Sequence, residues 1–333
     1  MLVSIIITNY NYGQFLAQAI ESALAQTYPY VEVIVIDDGS TDHSAGIIRS
    51  YGKRISPIFK PNGGQCSCVN LAIPYSHGEA ILFLDADDVL LEHAVSRHVE
   101  GLQKPGVVKS CGYLAVTDVE GQVTGETIPK KLQPSGDYRE RILLEGLSAR
   151  PATFTSGNAW SRDFLEQVLP LPENDLIGAD GYLTAIDGLF GRIESIHEPV
   201  ALYRLHGGNK GPRIVRFDAS YMKNRVERWH YRAQFATRWA EKLGYPVDAQ
   251  VFEQARSWRL ALMSYTLGEL GEQVTSPPFH ELVFAPFNNR KGRLLKSTLT
   301  SFVLVAIRVL PRRPAMHLTR YLLMEPRQRR RRN

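Results

Sequence analysis

The sequence predicts an α/β fold in which a mixed, mostly parallel sheet lies between layers of helices. Along the first hundred residues, short β-branched runs alternate with helical patterns, as they do where parallel strands are joined by crossover helices. A chain of 333 residues, 44% of them hydrophobic, is long enough for one large domain of this kind and an appended region. The predicted strands are Leu2–Thr8, Val31–Asp37, Ile55–Lys60 and Ala80–Asp85, and helices are predicted to begin at Gln14, Thr41, Gln65 and Leu91.

A helical C-terminal extension is predicted from about residue 212 onward. Helical patterns cover Ile214–Leu243 and Asp248–Glu272, and the turn-forming residues Gly244–Pro246 separate them. The predicted organisation is therefore an α/β domain over residues 1–211 and a helical region over residues 212–333.

Positive charge is concentrated in the tail of this extension. Residues 290–333 hold 13 Lys and Arg and one acid, whereas residues 1–289 hold 26 bases and 33 acids. The tail also contains the apolar run Thr298–Leu310, which at 13 residues is shorter than a membrane-crossing helix. The pattern favours an interfacial helix on an anionic membrane surface over nucleic-acid binding. A helix packed on the protein, followed by a solvated arginine tail, is the alternative.

Cysteine usage and the N-terminal pattern predict a cytoplasmic protein. Cys66, Cys68 and Cys111 neither form an even disulfide set nor show the spacing of metal ligands. The first strand starts at residue 2, where a secretory leader would need a basic flank and an apolar run. We therefore expect a cytoplasmic chain, with peripheral attachment to the inner face of the membrane if the tail binds lipid.

Acidic residues follow the fourth predicted strand. The apolar residues Ile81–Leu84 lead directly into Asp85, Asp87 and Asp88. Repulsion among these carboxylates calls for a compensating charge, and Mn²⁺ or Mg²⁺ bridging to a substrate diphosphate would supply it. The alternative is an acidic first turn of a helix that begins near Leu90.

The ends of the first three strands predict a nucleotide site at the same edge of the sheet. Ligands of parallel sheets bind beyond the carboxyl ends of the strands. Asp38 can accept a hydrogen bond from a base or a ribose, while Thr8 and Tyr10 can supply a backbone contact and an aromatic face. Gly64, which follows the third strand, lets backbone approach a ligand closely. A simple turn at Gly39 and ordinary packing of Tyr10 are the alternatives.

Two stretches carry a resemblance to a known family. SIIITNYNYGQFLAQAIESALAQTYPYVEVIVIDDGSTD and NGGQCSCVNLAIPYSHGEAILFLDADD resemble family 2 glycosyltransferases, which have the Rossmann-like GT-A fold. The resemblance covers about residues 1–210. It implies an inverting transfer of a sugar from a nucleoside diphosphate sugar, usually a UDP-sugar, to a glycan or lipid-linked acceptor, with Mn²⁺ or Mg²⁺. In the matching D-x-D element, Asp87 would be the main metal-facing residue, Asp85 would lie nearer the ribose, and Asp88 would be a possible second ligand.

The resemblance also implies a catalytic base. An inverting displacement needs a carboxylate that takes the proton of the acceptor hydroxyl. Residues 171–183 resemble the segment that carries this base, which we assign to Asp180, with Asp175 as the second choice. The family usually has Glu-Asp where this chain has Ala179–Asp180. An acid at the start of a helix ending near Phe190 is the alternative role of Asp180.

Further assignments rest on the same resemblance. Gly157 falls in a segment similar to the glycine loop under the donor sugar, and His206 matches the family's histidine that meets the metal or the diphosphate. Arg204 or Lys210 could stabilise the leaving diphosphate. The Q-x-x-R-W element of processive synthases is missing, so we expect addition of one or a few sugars.

Two alternatives to this function stay open at this point. A nucleotidyltransferase uses a similar sheet, but it would need a basic, glycine-rich phosphate loop after the first strand, and residues 9–15 contain no base. The chain could also be a catalytically silent nucleotide-sugar-binding or scaffold protein, to which the alanine at position 179 lends some support.

Overall fold

The fold was obtained as a computed structural model of the chain. The structure describes residues 1–149, 153–173, 176–207, 218–248, 251–252 and 258–269, together with residues 314 and 319. The predicted helix Ile214–Leu243 falls partly outside these ranges. The second choice of base, Asp175, the diphosphate candidate Lys210 and the apolar run of the tail lie outside the described residues.

The strands and helices follow the predicted alternation. The strands are β1 (Val3–Asn9), β2 (Val31–Asp37), β3 (Ser56–Phe59), β4 (Ala80–Asp85), β5 (Val89–Leu90), β6 (Val107–Thr117), β7 (Val123–Ile128), β8 (Gly136–Asp137), β9 (Asn158–Ser161) and β10 (Arg192–Arg204). The helices are α1 (Gly13–Leu24), α2 (Ser44–Ser50), α3 (Gly64–Tyr75), α4 (Ala94–Leu102), α5 (Arg139–Glu145), α6 (Arg162–Val168), α7 (Ala179–Phe190), α8 (Ala219–Lys242) and α9 (Trp258–Glu269).

These strands form one mixed sheet in the order β3-β2-β1-β4-β9-β6-β10-β5, with β7 beside β6 and β8 beside β10. Strands β3, β2, β1 and β4 run parallel to one another, whereas β9 is antiparallel to both of its neighbours. The predicted fold class is confirmed. Because β2, β1 and β4 are parallel neighbours, their carboxyl ends meet along one edge, where Thr8 of β1 lies opposite Asp85 of β4.

Continuous apolar runs form these central strands because both sheet faces are covered by helices. Within β1, Ile5 and Ile7 pack in the core on the α1 side, and Ile6 packs in the core on the α3 side. All three side chains are fully buried. The sheet therefore gives a rigid base for the loops at its edge.

Helix α8 packs on α7 and so joins the C-terminal region to the sheet domain. The rings of Tyr182 and Phe235 lie 4.8 Å apart at their centroids. Asp218 caps the start of α8, since its carboxylate accepts a hydrogen bond from the backbone N–H of Tyr221 at 2.9 Å. In the part of the chain that the structure describes, no helix has both the length and the apolar content that a membrane crossing requires.

Candidate active site

The acid cluster at the end of β4 is short of positive charge. Burial, and then the neighbouring charges of Asp87 and Asp180, raise the pKa of Asp85 to about 8. Its carboxylate accepts a hydrogen bond from Gln65 Nε2 at 3.1 Å. The predicted repulsion is thus present, and a cation at this edge would relieve it.

Asp88 differs from its two neighbours because it points into the protein. Its side chain is 2% exposed and accepts hydrogen bonds from Ser156 Oγ at 2.6 Å and from the backbone N–H of Arg204 at 3.3 Å. Burial, together with Asp87 and Asp85, raises its pKa well above the usual range. Asp88 therefore ties β4 to the segment before β9 and to the end of β10, and its role as a second metal ligand stays a prediction.

Asp87 and His206 meet at the rim of the site. Asp87 Oδ2 lies 2.9 Å from His206 Nε2, although 119 residues separate them in the sequence. The imidazole packs against the rings of Tyr12 and Phe15, at centroid distances of 5.5 and 5.0 Å, which fixes its orientation. The structure thus brings together two of the three residues that the sequence assigns to a metal, Asp87 and His206.

The arrangement of Asp87 and His206 fits a catalytic divalent cation of the substrate-bridging kind. Among the described residues, no group of three or more acidic, histidine or cysteine side chains is arranged to hold an ion by itself. Magnesium in particular often takes one or two protein ligands and completes its coordination with water and substrate phosphates. One carboxylate and one imidazole at an uncompensated acidic rim meet that requirement, whereas a closed structural site does not.

Asp87 and Asp88 do not belong to a helix. The alternative prediction placed Asp87 and Asp88 in an acidic first helical turn. Instead, Val89–Leu90 forms the short strand β5, and α4 begins only at Ala94, without an acid in its first turn. The acids are therefore held by the sheet and its loops.

The carboxylate of Asp38, outside the acid cluster, is bonded to the loop that follows β3. Its side chain is 4% exposed and pairs with the ammonium of Lys60. It also accepts backbone hydrogen bonds from Gly63 at 2.9 Å and Gly64 at 2.8 Å, and the side-chain amide of Asn62 donates to its carbonyl at 3.0 Å. We call these five residues the Asp38 clasp. Direct hydrogen bonding of Asp38 to a nucleotide base stays a prediction.

Glycines make the clasp possible. Gly64 has φ +79° and begins α3, and Gly39, at φ +76°, approaches the backbone of Asn62 so closely that a Cβ would lie 2.7 Å from its nitrogen. Side chains other than glycine are strained at such φ values. The close backbone approach at Gly39 joins the two loops to each other, and close approach of a ligand to Gly64 stays a prediction.

The loop after β1 completes this side of the rim. Thr8 is half-buried, and Tyr10 is 46% exposed, so its ring is available to a ligand. Asn11, at φ 59°, accepts a hydrogen bond from the backbone N–H of Thr41 at 2.8 Å, and Ser40 Oγ accepts one from the backbone N–H of Asn11 at 2.9 Å. These bonds join the loops after β1 and β2 into one surface.

Asp180 lies in the first turn of α7, on the other side of the acid cluster. Burial raises its pKa, while the positive charges of Arg232, Arg228 and Lys109 and a hydrogen bond from the backbone N–H of Gly181 act in the opposite direction. Asp180 is close enough to Asp85 for its charge to raise the pKa of that carboxyl. A half-buried carboxylate with a raised pKa is a suitable proton acceptor near neutral pH.

Gln65 links the two carboxylate sites, and sequence reasoning did not find it. Its Nε2 donates to Asp85 Oδ1 at 3.1 Å, and its Oε1 accepts from the backbone N–H of Ala179 at 3.1 Å. The amide therefore holds the start of α7 against the end of β4. Gly178 leaves the space for it, because a Cβ at that position would lie 2.6 Å from Gln65 Oε1.

Removing this bridge should misplace the base without unfolding the protein. Gln65→Ala removes both hydrogen bonds, and we expect about a tenfold loss of kcat because the base is displaced, with little change in thermal stability. Gln65→Glu should lose more, because it adds a negative charge to an acidic rim. Steady-state kinetics and thermal melts check this, with the exposed Gln167→Ala as the matched control. Equal effects of Gln65→Ala and Gln167→Ala would contradict the positioning role.

Two other predicted residues serve packing. Gly157 is buried, and a Cβ there would lie 2.7 Å from Leu114 Cδ1, so the close approach to β6 accounts for this glycine. The guanidinium of Arg204 donates to the carbonyls of Asp87 and Val119 at 3.3 and 3.1 Å and also to the side chain of Gln18. Arg204 is thus engaged by protein groups beneath the rim.

Sequence relatives of the chain are glycosyltransferases by name. The chain matches the Glycosyl transferase family 2 model over residues 4–167. An uncharacterized glycosyltransferase of Nostoc sp. is 37% identical over 214 residues, covering 63% of this chain and 66% of the relative. One of Rickettsia prowazekii is 41% identical over 115 residues, covering 34% of this chain and 36% of the relative. The chain thus spans less than two thirds of the length of these curated relatives.

Solved structures share the fold. The S. aureus TarS 1–349 structure in complex with UDP-GlcNAc superposes with a TM-score of 0.52 at 17% identity, covering 91% of this chain and 90% of that one. Mannosyltransferase PcManGT from Pyrobaculum calidifontis, in complex with GDP-Man and Mn²⁺, gives 0.55 at 16% identity, covering 96% and 84%. The family-model match and the relatives named as glycosyltransferases assign residues 4–167 of the chain to glycosyl transferase family 2.

Proposed function

We propose that this glycosyltransferase inverts the anomeric centre as it moves a sugar from a nucleoside diphosphate donor, preferably a UDP-sugar, to a hydroxyl of a glycan or lipid-linked acceptor. The observation that carries the proposal is the approach of Asp180 on α7 to Asp85 on β4. A proton acceptor and a predicted donor-binding carboxylate thus lie within electrostatic reach across one rim. An in-line displacement needs a proton acceptor and a donor site on opposite sides of the reacting carbon.

In this proposal, Asp180 takes the proton from the acceptor hydroxyl. The hydroxyl oxygen forms a bond to the anomeric carbon as the bond from that carbon to the diphosphate oxygen breaks, and the electron pair leaves with the diphosphate. Burial raises the pKa of this carboxyl, and the arginines of α8 act in the opposite direction. Gln65 holds the helix that carries it.

At the donor end, Asp87 and His206 would hold Mn²⁺ or Mg²⁺, which supplies positive charge to the leaving diphosphate. Asp85 would accept a hydrogen bond from the ribose, and Thr8, Tyr10 and the Asp38 clasp would form the wall for the base. Support for a metal and a nucleotide sugar comes from PcManGT, which binds GDP-Man and Mn²⁺, and from TarS, which binds UDP-GlcNAc. Attachment to an anionic membrane through the basic tail is part of the same proposal.

Calorimetric titration tests the donor half of the proposal. UDP, GDP, UDP-GlcNAc and GDP-mannose are titrated into the purified chain with Mn²⁺ and again with a chelator. We expect one uridine nucleotide sugar to bind selectively and at least tenfold more weakly after chelation, because the acidic rim repels an unscreened diphosphate. Binding that is indifferent to both base and metal would contradict the assignment of the donor site.

A further inference from the structure

Helix α8 directs arginine side chains toward the catalytic base. Arg225, Arg228 and Arg232 are spaced by three and four residues, which places them on one side of the helix. This side faces α7, because Arg232 Nε donates to the carbonyl of Gly181 at 2.9 Å and its NH2 group donates to Thr184 Oγ1 at 3.3 Å. Arg232 is therefore a brace between the helices.

The guanidinium of Arg228 is available to a ligand, whereas that of Arg232 is bonded to α7. It lies one turn nearer the start of α8 and is close enough to Asp180 for its charge to lower the pKa of that carboxyl. Within the described ranges, its guanidinium takes part in no hydrogen bond or ion pair. Its side chain is half-buried, and burial, with the like charge of exposed Arg225, lowers its pKa. The nearby charge of Asp180 acts against that shift. Among the described residues the N–H donors of Arg228 make no hydrogen bond, and an anionic ligand would satisfy them.

The surrounding sequence has the same sign of charge. Residues 218–232, which cap and begin α8, contain four Lys and Arg and two acids, although residues 1–289 as a whole contain 26 bases and 33 acids. A local excess of this kind, next to the residue that meets the acceptor, favours an anionic partner there. The donor diphosphate does not account for it, since Asp87 and His206 are placed to serve that group.

We infer that the acceptor side of the site is built for an anionic substrate, one that presents a phosphate or carboxylate to Arg228 and Arg225 while its hydroxyl reaches Asp180. The inference rests on the proposed glycosyltransferase function and narrows its acceptor class. Arg228 binds the anion in a partly desolvated setting, where a bidentate guanidinium contact is strong. Arg225, at the exposed end, contributes by attraction over a longer range.

The test uses three probes with one carbon skeleton: glucose 6-phosphate, glucuronate and glucose. Each is titrated into the full chain saturated with UDP and Mg²⁺, so that the diphosphate site is already filled. We expect one or both anionic probes to bind at least tenfold more tightly than glucose, and the two anionic arms separate phosphate from carboxylate recognition. Equal binding of all three probes would overturn the inference.

Substitutions on α8 separate a specific site from general attraction. Arg228→Gln should abolish the tenfold preference, Arg225→Gln should reduce it about threefold, and Arg228→Lys should retain part of it. Arg238→Gln, on an exposed part of the same helix, should behave as wild type. An equal loss in Arg238→Gln and Arg228→Gln would assign the effect to overall charge, including the basic tail, and would contradict the site. Thermal melts of each variant confirm that it is folded.

Failure of the inference is distinguishable from failure of the proposed function. The wild-type chain is assayed for release of UDP from UDP-GlcNAc and of GDP from GDP-mannose, both with water and with the three probes. Donor turnover without an anionic preference contradicts only the acceptor class. A chain that binds no donor and turns none over contradicts the proposed function itself.

Discussion

Replacing Asp180 with asparagine should lower the rate of sugar transfer by about 10²–10⁴-fold, the range that a general base contributes. The amide keeps the shape of the side chain but cannot accept the proton of the acceptor hydroxyl. Donor affinity should change little, because a base that acts on the acceptor contributes mainly in the transition state. Single-turnover transfer and calorimetric donor binding measure the two quantities separately.

The same variant tests the alternative that Asp180 is only a helix N-terminal acid. Asp163 occupies the first turn of α6, is exposed, and provides the matched control in Asp163→Asn. If Asp180 mattered only to the helix, both variants would lose stability alike and retain transfer. We expect the reverse for Asp180→Asn: unchanged or higher stability, because burial already raises the pKa of this carboxyl, and a large loss of transfer. Loss of donor binding in Asp180→Asn would contradict the base assignment.

Replacing Asp87 with alanine should remove the metal-dependent part of donor binding, a loss of about 100-fold if Asp87 is the main carboxylate ligand. His206→Ala should have a similar but smaller effect, because the imidazole is one of two protein groups at the proposed cation. Calorimetry with UDP and Mn²⁺, and again with a chelator, measures both. After chelation, Asp87→Ala should bind UDP at least as tightly as the wild type, because it removes a charge that repels the diphosphate.

Asp88→Asn provides the contrast, because Asp88 points into the protein. Asparagine keeps one of the two oxygens that accept hydrogen bonds from Ser156 and from the backbone of Arg204, and it removes a carboxyl whose pKa burial raises. The variant should therefore lose little thermal stability and retain metal-dependent binding. A loss of metal dependence in a folded Asp88→Asn protein would make Asp88 a ligand.

The pH dependence of metal-dependent donor binding by the wild type offers a further check. A bound cation lowers the pKa of Asp85 from about 8 and releases its proton, so metal-dependent affinity should rise from pH 6 to pH 8 and then level off.

The fold and the edge that carries the site follow from sequence because they depend on local patterns. Buried β-branched runs separated by helices specify parallel strands, and parallel strands place their carboxyl ends together. The motifs then assign Asp85 and Asp87 to one strand end and Asp180 to the start of a helix. Topology accounts for the shared strand end, whereas the assignment of Asp180 to the site rests on the family resemblance.

Side-chain partners across the fold could not be predicted in the same way. Asp87 and Asp88 are neighbours in the sequence, yet one faces His206 and the other faces Ser156, and this difference depends on loop geometry. No sequence pattern around Gln65 predicts its hydrogen bonds to Asp85 and Ala179, which lie 20 and 114 positions away. The packing of α8 on α7, which brings Arg228 near Asp180, likewise depends on tertiary contacts that a single sequence does not reveal.

The Asp38 clasp has a consequence for how donor preference can change. A loop already fixed by one buried carboxylate loses little conformational freedom when a nucleotide docks, so recognition resembles the fit of a rigid surface more than the closing of a mobile one. Such a loop also tolerates single substitutions poorly. Exchange of Asp38 alone would leave Lys60 without its partner and release Gly63 and Gly64 together. If the clasp forms the wall for the base, as proposed, redesign toward another base would require replacing its five residues together rather than Asp38 alone.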